Sequence, residues 1–190
     1  MKFILDGGWY KHDENSLKNK ILVRYRDFLL GKLEKKEKVL IVTNAKPAGY
    51  YQEKIQLFVD SGAIVISRDT LGKIDWSQFD CILVLGGNQV ILFDELVRLG
   101  FGIDKLKKSI VYIGESAGTM ILSGYFYDHD HTNDKLRKGF LPENKEIYLV
   151  HANNPIYTDA GLVANVRKFA EENGLLVVPI NENEVIEREF

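Results

Sequence analysis

The sequence predicts an α/β fold: a doubly wound, mostly parallel sheet flanked by helices, forming a single domain over residues 1–190. Three observations predict it. Continuous apolar β-type runs, such as Val39 to Thr43 and Cys81 to Leu85, read as strands covered on both faces. Amphipathic helical stretches alternate with those runs, as βαβ units require. One run, Ile110 to Ile113, passes through Gly114-Glu115-Ser116-Ala117-Gly118 straight into a helix-like segment.

Taken in order, Lys2 to Leu5 is a short strand stopped by Asp6-Gly7-Gly8. Asn15 to Leu33 places Leu17, Ile21, Tyr25, Phe28 and Leu29 on one helical face, with Asn15 or Ser16 as its cap. The strand Val39 to Thr43 ends in the loop Asn44 to Pro47. Gln52 to Ser61 is helical and stops at Gly62, and Ala63 to Ser67 is the next strand. Trp76 to Phe79 leads into the strand Cys81 to Leu85, which ends at Gly86-Gly87-Asn88. Gln89 to Leu99 is helical through Val90, Phe93, Leu96 and Val97, and a second short helix covers Ile103 to Lys107. Tyr125 to Asn144 is polar, aromatic and glycine-punctuated, and reads as a working loop or flap. Ile147 to Val150 is a strand running into His151. Asp159 to Asn173 is an amphipathic helix with a stop at Gly174. Leu175 to Pro179 and Val185 to Glu189 read as a final strand pair across the turn Asn181 to Glu184.

Composition narrows the function. Of 190 residues, 45% are apolar and 27% charged, a soluble globular balance, and the net charge of −2 gives no electrostatic case for nucleic acid or an anionic membrane. The run Lys32 to Lys38 is a solvated face. The single cysteine, Cys81, opens an apolar run and reads as a buried structural thiol. The start, MKFILDGGW, is too short an apolar run for a signal peptide, so the expected location is cytoplasmic.

Strand, G-x-S-x-G, helix is the context of a nucleophile elbow, which exposes Ser116 on a tight turn at a strand end. A serine hydroxyl needs a base, and the base an orienting carboxylate. In a parallel sheet the loops at the carboxyl ends of the strands share one rim. Of His12, His129, His131 and His151, only His151 follows directly on an apolar strand and so reaches that rim. Asp128, Asp130 and Asp134 all lie between Ser116 and His151, and spacing barely separates them. The oxyanion hole needs backbone amides: that of Ala117, just after the serine, and that of Gly87 on the neighbouring loop. Asn88, Glu115 and Asn133 are the expected substrate contacts. Phosphate-loop, dinucleotide and metal motifs are absent from the sequence, and no cofactor is expected.

These blocks resemble the peptidase E family of serine peptidases (family S51), which includes aspartyl dipeptidase and, more distantly, cyanophycinase. The resemblance covers nearly the whole chain. It is carried by Ile82 to Leu96 (ILVLGGNQVILFDEL), Val111 to Ile121 (VYIGESAGTMI), Thr132 to Phe140 (TNDKLRKGF) and the strand ending at His151 (YLVH). It implies a class I glutamine amidotransferase-like fold and a triad in the order Ser, Asp, His. The family's serine falls on Ser116, its aspartate on Asp134, its histidine on His151 and its oxyanion glycine on Gly87. Two departures argue against selectivity for an N-terminal aspartate: Glu115 stands where aspartyl dipeptidase has an aromatic residue, and the arginine-bearing segment after the histidine is not evident. The expected activity is serine-type hydrolysis of a dipeptide-like or similar amide bond through an acyl-enzyme. An esterase-type hydrolase and a non-catalytic binding or regulatory member of the fold are the alternatives. The expected partner is a small peptide substrate, with a homodimer left open.

Overall fold

A computed structural model of the chain describes residues 1–8, 20–128 and 136–189. In chain order the elements are β1 (Lys2–Asp6), α1 (Lys20–Glu34), β2 (Val39–Val42), α2 (Gln52–Asp60), β3 (Ile64–Ile66), β4 (Cys81–Val84), α3 (Gln89–Arg98) and β5 (Val111–Glu115). They continue with α4 (Ala117–Met120), β6 (Tyr125–Phe126), β7 (Arg137–Lys138), β8 (Glu146–Val150), α5 (Ala160–Asn173), β9 (Leu176–Ile180) and β10 (Val185–Glu189). The main sheet has the order β10-β1-β5-β4-β2-β3. Every pairing in it is parallel except that of β10, which runs antiparallel along the outer edge of β1. Each of β6–β7 and β8–β9 forms a further two-stranded sheet.

The sheet is wound on both faces because side chains alternate along each strand. Val39, Ile41, Cys81, Leu83 and Ile113 point to one face, where Tyr25 and Leu29 of α1 and Ile55 and Phe58 of α2 cover them. Leu40, Val42, Ile82, Val84 and Tyr112 point to the other and pack against Leu92 and Leu96 of α3 and Met120 of α4. Every residue of β2 and β4 is buried, which is why both strands read as unbroken apolar runs. Cys81 is fully buried, and burial pushes its thiol up to about 12, so it holds no reactive thiolate.

Parallel pairing of β1 with β5 sets Asp6 opposite Glu115, so both strands end beside the elbow. Ser116 follows at φ 50°, ψ −106°, a strained geometry for a residue with a Cβ. Its N–H donates to the Asp6 carbonyl at 3.0 Å. The two glycines of the pattern have steric reasons. A Cβ on Gly114 would lie 2.6 Å from the Gly118 carbonyl oxygen, and one on Gly118 would lie 2.5 Å from that of Val84.

The structure corrects two sequence expectations and leaves the start of one helix outside the described residues. The helix predicted over Ile103 to Lys107 is a single 3-10 turn, Ile103–Lys105. The helix predicted from Asn15 is described only from Lys20, since residues 9–19 lie outside the described residues. The last two strands do not pair with each other: β9 runs parallel to β8, and β10 crosses to β1. A local turn signal cannot tell a hairpin from a turn that changes sheets.

If the elbow is as tightly packed as these contacts imply, Gly118→Ala will destabilise the fold by about 1–3 kcal/mol through overpacking. Thermal unfolding reads this directly, and a melting temperature equal to wild type would contradict it.

Candidate active site

The Ser116 hydroxyl oxygen lies 3.0 Å from Nε2 of His151, and Nδ1 of the same ring lies 2.8 Å from Oε1 of Glu182. A carboxylate can only accept, so Nδ1 carries the proton and Nε2 presents its lone pair to the serine O–H. The pieces come from three places: Ser116 from the β5 elbow, His151 from the end of β8, and Glu182 from the turn after β9.

Register explains why they meet. In the parallel pair β8–β9, Val150 stands opposite Ile180, so His151 and the Asn181–Glu184 turn leave the same end of the pair. That turn is then tied down. Glu182 takes its amide to Asn153 Oδ1 at 2.8 Å, and its carboxylate also accepts from Asn154 Nδ2 at 2.8 Å. Gly7 donates to the Glu184 carbonyl and Asn183 to that of Gly8, both at 3.0 Å. The His151 N–H donates to the Gly7 carbonyl, holding the residue at φ 52°. One face of the imidazole packs on the Tyr157 ring, with centroids 4.7 Å apart. Gly8 also packs against the imidazole, and a Cβ there would stand 2.4 Å from the ring.

Two buried groups are electrostatically displaced. Burial lowers the His151 pKa below its ordinary value, while the hydrogen bond and charge of Glu182 pull the other way. The ring is therefore neutral near pH 7, the form a base requires. Glu115 is only 6% exposed, and burial raises its pKa to about 7. Its carboxylate accepts the Gly86 N–H and turns under the Gly86-Gly87 loop. Glu115, expected as a substrate contact, is turned inward: the space against its carboxylate is filled by Gly86, where even a Cβ would collide.

The remaining expected residues divide clearly. The amides of Gly87 and Ala117 are engaged by no other described residue, and Gly87, at φ 142°, has the Ala45 carbonyl against it where any Cβ would stand. Asn88 caps α3, its side chain accepting from the Ile91 amide at 2.9 Å. Asp128 receives Gln89 Nε2 at 3.4 Å. Asp134, expected to orient the histidine, lies outside the described residues, as do Asn133, Asp130, His12, His129 and His131. The carboxylate found at Nδ1 is Glu182, which sequence reasoning missed because its turn read as a hairpin tip. Among the described residues no cluster of histidine, cysteine, aspartate and glutamate could hold a metal ion, and no helix is long and apolar enough to cross a membrane.

The profile of peptidase family S51 matches residues 14–189. Among solved structures, the crystal structure of a peptidase from an acI-B1 Actinobacterium superposes with a TM-score of 0.65 at 16% identity. The likeness covers 99% of this chain and 83% of that one, and at this identity it speaks for the fold. No curated protein sequence matches the chain.

Because burial depresses the His151 pKa, the rising limb of kcat/KM against pH will lie below the ordinary histidine value of 6.5. Glu182→Gln removes the carboxylate that props this pKa up. It will move the limb lower still and cut turnover by about 10³–10⁴-fold, as loss of an orienting carboxylate does. A limb that moves upward would contradict the assignment. Glu115 also affects stability. Its folded pKa of about 7 exceeds the ordinary glutamate value of 4.5, so stability it contributes at low pH is lost as pH rises through that window. Chemical denaturation from pH 4 to 8 will show a shallower decline for Glu115→Gln, and identical slopes would refute the claim.

Proposed function

The chain belongs to peptidase family S51 and is a serine peptidase, and from that premise we propose that Ser116, His151 and Glu182 cleave a short, dipeptide-like substrate through an acyl-enzyme. The observation that carries this reading is the continuous chain of hydrogen bonds from the Ser116 oxygen through the His151 ring to the Glu182 carboxylate.

In this mechanism Nε2 of His151 takes the hydroxyl proton as the Ser116 oxygen attacks the scissile carbonyl carbon. Glu182 stabilises the imidazolium that results and keeps the ring in the right tautomer. The amides of Ala117 and Gly87 receive the carbonyl oxygen as it becomes an oxyanion, a contribution of about 10²–10³-fold per donor. The C–N bond then breaks, His151 gives its proton to the departing amine, and an ester on Ser116 remains. Water, deprotonated by the same nitrogen, hydrolyses that ester and restores the hydroxyl. The buried placement of Glu115 takes it out of direct contact with a substrate side chain, so its identity is no argument against an N-terminal aspartate.

The test is a dipeptide panel with acidic, basic and small N-terminal residues, run beside labelling with a fluorophosphonate probe. Wild type will cleave at least one member and take the label. Ser116→Ala will do neither, with a fold unchanged by circular dichroism. Full activity in Ser116→Ala would overturn the mechanism.

A further inference from the structure

Gly86 is gripped from two sides by residues the reaction scheme does not use: its carbonyl, shared with the Gly87 amide in one peptide unit, and its own N–H in the unit before. The Tyr51 hydroxyl donates to the Gly86 carbonyl oxygen at 3.0 Å. The Gly86 N–H donates to the carboxylate of Glu115. Tyr51 stands at the start of α2, beyond the loop that follows β2, and Glu115 is the residue before the nucleophile. The described peptide bonds are all trans, so the Gly86 carbonyl and the Gly87 N–H belong to one rigid plane and point in opposite directions. Fixing the carbonyl therefore fixes the direction of that N–H.

We propose that Tyr51 and Glu115 are positioning residues that clamp Gly86 and thereby aim the Gly87 amide at the carbonyl oxygen of the substrate as it turns tetrahedral. The inference rests on the reading of Gly87 as an oxyanion donor. Three further features fit it. Gly86 admits no side chain, since a Cβ would lie 2.5 Å from Oε2 of Glu115, so the clamp closes without a gap. On its far side the loop is braced by the Asn88 N–H, which donates to the Ala45 carbonyl at 3.1 Å. Burial, aided by the charge of Glu115, pushes the Tyr51 phenol pKa up, so this hydroxyl stays protonated and acts as a donor. A donor on the Gly86 carbonyl also polarises the shared peptide, making the Gly87 N–H a stronger donor in turn.

The clamp acts through Gly87 and never touches substrate, so its loss should appear in kcat rather than in KM. The probe reactions are hydrolysis of p-nitrophenyl acetate and the labelling rate with a fluorophosphonate. Tyr51→Phe keeps the ring and its packing against Tyr50 but removes the donor. It will lower kcat and the labelling rate by about 10-fold, less than the 10²–10³ for outright loss of an oxyanion donor, with KM and melting temperature unchanged. Glu115→Ala will show the same split. Glu115→Gln will recover most of the rate, because its amide oxygen still accepts from Gly86. The clamp is overturned if Tyr51→Phe turns over and labels at the wild-type rate, or if Glu115→Gln is no better than Glu115→Ala. An unlabelled wild type, or a labelled Ser116→Ala, would instead sink the underlying serine mechanism and leave a different signature.

Discussion

Three residues at the end of β1, Asp6-Gly7-Gly8, hold the whole site together through their backbone. The Asp6 carbonyl takes the Ser116 amide, the Gly7 carbonyl takes the His151 amide, and Gly7 and Gly8 bond both ways to the turn that carries Glu182. Ser116, His151 and Glu182 thus share one short piece of chain as a common reference. Asp6 is itself fixed: its fully buried carboxylate accepts from the Gly8 amide, the Tyr25 hydroxyl and Arg24. Arg24 also donates to the Asn183 carbonyl, linking the strand end to the Glu182 turn a second time. Glycine is needed twice here, at Gly7 because the Asn181 carbonyl lies where a Cβ would be, and at Gly8 because the His151 ring does.

This common reference accounts for the backbone strain at the site. Ser116 and His151 both sit at positive φ without being glycine, at a cost on the order of 1–3 kcal/mol each. Neither conformation would persist without opposing bonds. For Ser116 these are its amide bond to Asp6 and the first helical turn of α4. For His151 they are the Gly7 bond on one side and the Asn154 amide, bonded back to its carbonyl, on the other. What the strain achieves is orientation: both side chains leave the ends of their strands and turn toward each other.

The fold was largely legible in the sequence because buried parallel strands advertise themselves as apolar runs, and because a serine elbow combines a strand, a spaced glycine pair and a helix within ten residues. Ser116 and Ala117 could be read from that local signal. The approach of His151 to Ser116 could be read from its position after a strand. Glu182 could not. Its place depends on β9 pairing with β8, and parallel register between distant strands leaves no mark in the turn between them. The acidic, histidine-bearing stretch around Asp128 to Asp134 stands out by composition, whereas the carboxylate bound to His151 sits among ordinary turn residues. Glu115 misled in a different way. A charged residue beside a nucleophile reads as substrate contact, and only the packing of Gly86 against it reveals an inward orientation.

The serine rides on the six-stranded sheet, whereas the histidine and glutamate ride together on the β8–β9 pair. The junction between these two sheets runs between Oγ of Ser116 and Nε2 of His151. A small slip of one sheet against the other would lengthen that contact and leave the His151–Glu182 pair intact. The chain would keep its folded content and the His151–Glu182 hydrogen bond while losing the contact on which the proposed activation of Ser116 rests. Turnover is therefore the most sensitive gauge of how well the two sheets are seated, more so than any measure of secondary structure.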